Sequence, residues 1–464
     1  MNNMLLAIFF PIIGAFFIPL APKKVKSYLA AAVLLVTFLL VLLVIPPYLR
    51  RGDLLLSRNF SDWFSFAFLA DGLAIFMALV SSLVGFLVAV YSLEYMKDYA
   101  CVGDFYFWMV LFIGAMMGLV FSANLVLMFC FWEVTSVCSW QLIGFYRKDK
   151  DTKAADKAFL VTFFGASLML AGIILVLLQY GTLDIVSLKG LSLSNLAAFL
   201  LLAGVLSKSA QLPLETWLPD AGVAPTPVTA LLHAAVLVKI GIYVFARLAG
   251  ATFILTPQFF NFAIALSVIT IIVAASSALA ENNIKRILAY STISQLGYIL
   301  LAISLNTEIS LKVAMLYVLA HSLAKGGLFL CAGIVEHKTG TKDIMQLGGL
   351  LKTMPWTACA YLLCAFSVIG IPPFLGFWPK IMVVLLAVES GHLIAGSLMV
   401  LGAIFTMLYL LRLFSRVFLG EVRIEAREEK NSPMVLVVVL LGVLSLILGV
   451  LFRLPLGLAE ALIK

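Results

Sequence analysis

Fourteen apolar runs occupy most of this 464-residue chain, near 3–20, 26–46, 69–92, 104–122, 123–144, 155–179, 195–213, 225–248, 258–280, 284–305, 309–335, 356–388, 393–418 and 433–453. About 20 apolar residues in a row cross the hydrocarbon core of a bilayer as a helix. In lipid only a structure that satisfies its own backbone groups is tolerated. The pattern therefore predicts an all-α polytopic membrane protein of about 14 transmembrane helices. Composition agrees: 63% of residues are apolar and 12% charged, against roughly 45–50% and about 25% in soluble domains. A soluble enzyme, a nucleic-acid binder, a disordered chain and a secreted disulfide scaffold are excluded. The six cysteines (Cys101, Cys130, Cys138, Cys331, Cys359, Cys364) lie in or beside apolar runs and form no CxxC. They read as buried thiols packed like small hydrophobes, not as a metal or cluster site.

The loops set an orientation. Nineteen of the 31 Lys and Arg fall in loops after odd-numbered runs or at the adjoining helix ends, and six (Arg50, Arg51, Arg58, Lys189, Arg247, Lys312) after even-numbered ones. Basic residues accumulate on the cytoplasmic side, so the odd loops are expected there, in the cytoplasmic membrane, with both termini outside. The first run begins almost at once, and its basic cluster Lys23, Lys24 and Lys26 follows it, which is unlike a cleavable signal peptide.

A few ionisable residues interrupt the runs themselves: Glu133, Lys208, Lys239 after His233, His321 with Lys325 one turn on, and Lys380. A charge near the bilayer centre costs about 2.5–3.5 kcal/mol on insertion scales. These groups must pair, titrate or line a wet cavity. Blander readings stand beside that one. Lys380 can snorkel to the interface, Glu133 and a lysine can form a structural pair, and His321 can pack between helices.

Two runs also carry prolines at mid-depth, QLPLETWLPD (Pro213, Pro219) and GIPPFLGFWP (Pro372, Pro373, Pro379). Proline frees helix carbonyls, and paired broken helices in corresponding halves of a chain mark ion or substrate sites in transporters. The breaks are runs seven and twelve, and runs five and ten echo each other as EVTSVCSWQLIGFY and YSTISQLGYI. This predicts N-terminal helices in 1–103, a five-helix repeat in 104–248, a second in 258–420 and a last helix in 433–464. Five helices per repeat is odd, so the second copy must be inverted. Burial disfavours the charged form of a lysine and a nearby carboxylate favours it. A movable Glu133 would thus switch Lys208 between holding and releasing a proton. Lys239, His321, Lys325 and Lys380 would continue the line, with Ser136, Ser139, Ser291, Ser294 and water bridging gaps.

Five stretches carry a resemblance: FWEVTSVCSWQLIGF, KSAQLPLETWLPDAGVAPTPVTALLHAAVLVKIGIY, NNIKRILAYSTISQLGY, HSLAKGGLFL and GIPPFLGFWPK. Over roughly 70–420 the chain is similar to the antiporter-like subunit family. Its members include the large proton-pumping subunits of respiratory complex I, Mrp-type Na⁺/H⁺ antiporters, and membrane-bound hydrogenase and ferredoxin-linked complexes. The resemblance implies that Glu133 and Lys208 form a channel pair and that Lys239 connects the halves. Lys325 with His321 would serve the second half-channel, and Lys380 would be the terminal lysine. It also implies other membrane subunits as partners, further antiporter-like ones among them, and a peripheral redox module. No extra helix is expected beyond Lys464, Ala166 stands where the longest complex I type has an acidic residue, and Lys380 replaces a glutamate that some middle subunits carry. These features resemble the shorter D-type Mrp subunits.

The expected function is proton translocation, with Na⁺/H⁺ exchange as its variant, by a subunit with no redox chemistry of its own. The rival is a stand-alone secondary transporter of a small solute. A quinone or redox enzyme is disfavoured, because no CxxC, no GxGxxG and no paired haem histidines occur; neither cofactor nor metal is expected.

Overall fold

A computed structural model of the chain describes residues 2–61, 64–424 and 426–463. Lys464, the end of the last expected segment, lies outside the described residues. Helices α1 (Asn2–Phe17), α2 (Lys23–Leu42) and α3 (Ile45–Arg51) lead into an antiparallel hairpin of β1 (Leu54–Asn59) and β2 (Ser65–Ala70), with Leu54 opposite Ala70. Helices α4 (Gly72–Tyr95), α5 (Val102–Phe121), α6 (Leu125–Ile143), α7 (Asp149–Tyr180) and α8 (Asn195–Lys208) follow. A short α9 (Trp217–Asp220) precedes α10 (Thr226–Ala230) and α11 (Leu237–Phe245), which a π-helical turn over Leu231–Ala235 joins. The chain continues through α12 (Pro257–Ala280), α13 (Ile284–Ser304), α14 (Ser310–Thr339), α15 (Pro355–Ile369), α16 (Phe377–Glu389) and α17 (Leu393–Phe418). It ends in α18 (Pro433–Val450) and α19 (Arg453–Leu462).

The all-α membrane reading holds. Among the described residues eleven helices are long and apolar enough to cross a membrane, and α1, α8 and α15 are shorter apolar helices. Two features depart from expectation. The run at 69–92 begins inside β2, and α4 starts only at Gly72, where the Asp71 side chain accepts from the Ala74 amide as an N-cap. Of the six free cysteines, Cys138, Cys331 and Cys364 are buried, but Cys101, Cys130 and Cys359 are exposed. Cys130 shares an outward face of α6 with the exposed Val134 and Val137, so packing within the chain does not enclose that thiol.

Similar local geometry recurs at a constant spacing along the chain. Asn124 caps α6 and Asn283 caps α13, each accepting from the amides two and three residues on. Gly181 and Gly340 end α7 and α14 in the left-handed conformation at φ +68° and +75°. Asn124 bridges to Asp184 and Asn283 to Asp343, and the amides of Asp184 and Asp343 each donate 3.2 Å bonds to the hydroxyls of Thr182 and Thr341. Both proline-rich breaks follow, with Pro213 after α8 and Pro372 after α15.

Burial is uneven in a way that serves the charges. Residues 226–250 are almost wholly buried, as are most of α13 and α14, whereas α2, α7 and α17 expose much of their apolar surface. The helices bearing Lys239 and Lys325 are thus the protein's interior, sheathed by lipid-facing ones. An ionisable group placed there meets neighbouring helices and not hydrocarbon.

Candidate functional site

The first break positions Lys208. Helix α8 stops at this residue, and the chain then turns through Pro213 into α9, anchored by the Trp217 indole donating to the Ser207 carbonyl at 2.9 Å. Helix α11 approaches closely: a Cβ on Gly241 would lie 2.2 Å from Ser209 Oγ. Lys208 is fully buried and crosses to α6, donating to Ser136 Oγ at 2.6 Å and the Trp132 carbonyl at 3.3 Å, with Nζ 5.1 Å from the Trp132 ring centroid. Glu133, on the adjacent turn, makes no ion pair with Lys208, and its buried Oε1 has no hydrogen-bond partner. The two expected partners share one neighbourhood, but Lys208 bonds Ser136 and Trp132 and not Glu133.

The second break mirrors this arrangement with different chemistry. Lys380, in the first turn of α16, donates back across the break to the Val368 carbonyl at 2.6 Å and the Ile369 carbonyl at 3.1 Å. Its Nζ sits 5.0 Å from the Tyr298 ring centroid, and the residue is only 6% exposed. Snorkelling is excluded by that burial: the ammonium caps the last carbonyls of α15, which a helix end leaves without partners.

Between the breaks lie two histidines and two lysines. The π turn at 231–235 releases backbone carbonyls, and Lys239 fills them, bonding the carbonyls of His233 at 3.1 Å and Ala234. Lys325 reaches the Leu288 carbonyl of α13 at 3.3 Å. The His233 ring stacks on Phe329 at 4.3 Å, and neither nitrogen of His233 or His321 has a hydrogen-bond partner. His321 lies within electrostatic reach of Lys239, Lys325, His233 and Lys380. No carboxylate pairs with this group among the described residues, and each proton added raises the cost of the next.

The four serines fare unequally. Ser136 meets Lys208, but Ser139 turns to the Ser136 carbonyl (2.8 Å), Ser294 to the Ile271 carbonyl (3.1 Å) and Ser291 to the Tyr409 hydroxyl (2.6 Å). Sequence reasoning passed over Gln211. This buried amide donates to the carbonyls of Ser209 (3.0 Å) and Ile293 (3.3 Å), and its Oε1 is unpaired. It thereby joins the first break to α13, in the gap between Lys208 and the central group. Its signal was available as the one amide inside KSAQLPLETW.

Two residues counted as loop charges are also buried. Arg247, 4% exposed, makes a two-pronged pair with Asp71 and stacks near Tyr243, while Lys285, 1% exposed, pairs with Glu336 at 2.8 Å. Burial opposes ionisation of Asp71, yet the Arg247 guanidinium outweighs it and holds the carboxyl below its usual range. On the opposite rim, burial likewise opposes ionisation of Asp220, and hydrogen bonds from Lys157 (2.7 Å) and Arg286 (2.6 Å) prevail and lower it.

Comparison with known proteins gives a consistent picture. The family profile described as NADH:quinone oxidoreductase/Mrp antiporter, transmembrane, matches residues 122–406, and that of complex I chain 5, N-terminus, matches 60–106. The chain is 35% identical over 424 residues to the Na⁺/H⁺ antiporter A subunit of Alkalihalophilus pseudofirmus, covering 83% of this chain and 52% of that one. To the Na⁺/H⁺ antiporter A1 subunit of Staphylococcus saprophyticus it is 33% identical over 477 residues, with 94% and 59% covered. The chain thus spans little more than half the length of these relatives. Both are named as A subunits, so the D-type likeness has no counterpart in their names. Its fold superposes on a chain of the Mrp complex from Dietzia sp. with a TM-score of 0.91 at 23% identity, over 99% of this chain and 97% of that one. A chain of an archaeal membrane-bound sulfane sulfur reductase gives 0.93 at 24% identity, with 99% and 97% covered.

Proposed function

The chain belongs to the NADH:quinone oxidoreductase/Mrp antiporter family of membrane proteins, and on that premise we propose that it is a proton-translocating, antiporter-like subunit of a multisubunit membrane complex. The observation that carries this reading is the line of buried and half-buried ionisable side chains between two broken helices: Glu133, Lys208, Lys239, His321, Lys325 and Lys380. The four lysines are held in this structure only by neutral groups, and both nitrogens of His321 are held by nothing. Buried charges that are merely structural are paired, as Arg247 and Lys285 are.

In the proposed cycle Glu133 swings toward Lys208 and stabilises its ammonium. When Glu133 withdraws, Lys208 passes its proton past Gln211 toward Lys239. His233 and His321 accept and relay it, and Lys325 hands it to Lys380 at the second break. Each transfer lowers the charge at one lysine and raises it at the next, so electrostatic repulsion carries motion along the line. The recurring caps, αL glycines and breaks support inverted five-helix repeats over 104–248 and 258–420, within about fourteen membrane segments counting the three shorter helices.

The relatives named as A subunits support exchange of Na⁺ for H⁺ as the transport mode, and the family supports other membrane subunits, and in some complexes a redox module, as partners. We place the chain in the cytoplasmic membrane with its termini outside, on the loop charges. A vesicle assay separates this reading from a stand-alone transporter. Flux should require the assembled complex, and full flux from the isolated chain would overturn its placement in a larger assembly.

A further inference from the structure

Helix α7 carries a feature that proton transfer does not use. Lys150, Lys153 and Lys157 recur at three- and four-residue spacing and so share one face. That face continues toward the membrane interior through Leu160 and Phe164, which are 63% and 57% exposed. The three lysines line a cleft of about 350 Å³ together with Arg286, Lys342 and Asp220. Asp220, the sole carboxylate lining the cleft among the described residues, is already engaged by Lys157 and Arg286, and Lys342 pairs with Glu336 at 3.0 Å outside it. Lys150 and Lys153 are exposed, and Lys153 has only an i,i+4 pair with Asp149.

We propose that this cleft, lined by α7, the start of α13 and Lys342, is a binding site for the phosphate headgroup of an anionic phospholipid whose acyl chain lies along Leu160 and Phe164. Basic clefts between membrane helices on the positively biased side favour such headgroups. What marks a lipid rather than a free anion is the continuity of one helix face from ammonium groups into exposed apolar surface. The cleft also connects to the first break: Lys157 bonds the Thr216 carbonyl at 3.1 Å as well as Asp220. A headgroup drawing on Lys157 therefore acts on the segment that follows Lys208. The site itself does not depend on which ion the chain moves.

The test titrates the delipidated full-length protein with phosphatidylglycerol and phosphatidylcholine, with inorganic phosphate as competitor. Phosphatidylglycerol should bind the more tightly, resist displacement by millimolar phosphate, and lose about fivefold in affinity for each of Lys150→Gln and Lys153→Gln. Lys23→Gln with Lys24→Gln, remote from the cleft, should leave it unchanged. A photocrosslinking phenylalanine analogue at position 160 should capture lipid in native membranes. Equal affinity in the cleft and remote variants would overturn the proposal, as would full displacement by phosphate. Capture of polypeptide alone at position 160 would replace the lipid with an acidic protein segment.

Discussion

The ammonium of Lys208 rests on Ser136 Oγ at 2.6 Å, and Ser136 stands one helical turn from Glu133. The hydroxyl, and not the Glu133 carboxylate, is therefore the side-chain acceptor that Lys208 uses in this structure. If this is the proton-holding contact between cycles, Ser136→Ala leaves a buried ammonium short of an acceptor. A hydrogen bond to a charged group contributes about 1.5–3 kcal/mol, so proton flux in vesicles bearing the complex should fall by about tenfold or more. Unchanged flux would make Ser136 a bystander.

Gln211 spans the interval between the first break and α13. Gln211→Leu keeps the volume and removes both the amide donors and the unpaired Oε1. Flux should drop while the protein accumulates normally, and Gln211→Glu should retain part of it. Equal flux in the leucine variant and the unaltered protein would show that protons reach Lys239 by another route.

Lys380 has two duties, capping α15 and carrying charge. Lys380→Met loses both, whereas Lys380→Arg keeps the cap. Methionine should cost about 1–3 kcal/mol of stability by stranding the Val368 and Ile369 carbonyls, read as a lower melting temperature, and should abolish flux. Arginine, which does not release its proton, should restore the melting temperature and not the flux. Flux in the arginine variant would reduce Lys380 to a structural cap.

Asp71 and Arg247 tie α4 to the helix that carries Lys239. The Asp71 carboxyl is held below its ordinary value, so the pair contributes stability that is fully present above the unfolded pKa of about 4 and is lost as pH falls through the lowered folded value. The melting temperature of the solubilised protein should therefore decline on acidification below about pH 4. Asp71→Asn should be less stable at neutral pH and show a shallower acid decline. An identical pH profile in the variant would contradict the role.

Much of this site was legible because a charge inside an apolar run has nowhere cheap to go. Glu133, Lys208, Lys239 and Lys325 announce themselves by cost alone, and the prolines mark both breaks. Residues at the ends of runs were misread for the same reason: Arg247 and Lys285 look like loop charges until Asp71 and Glu336, distant in sequence, are seen beside them. The π turn at 231–235 has no proline or glycine to announce it, since LLHAA reads as ordinary helix. The hairpin at 54–70 lies almost wholly between the second and third apolar runs, where hydropathy carries no signal for a strand pair. Gln211 carries no charge, so nothing in its cost set it apart from the prolines around it.

The most direct measurement is proton flux in inverted membrane vesicles carrying the assembled complex with Glu133→Ala or Lys208→Ala, alongside the amount of complex in each preparation. Both variants should assemble normally and show flux abolished or strongly reduced, since each removes one member of the entry pair. Normal flux in either variant, at normal levels of complex, would contradict proton entry through Glu133 and Lys208.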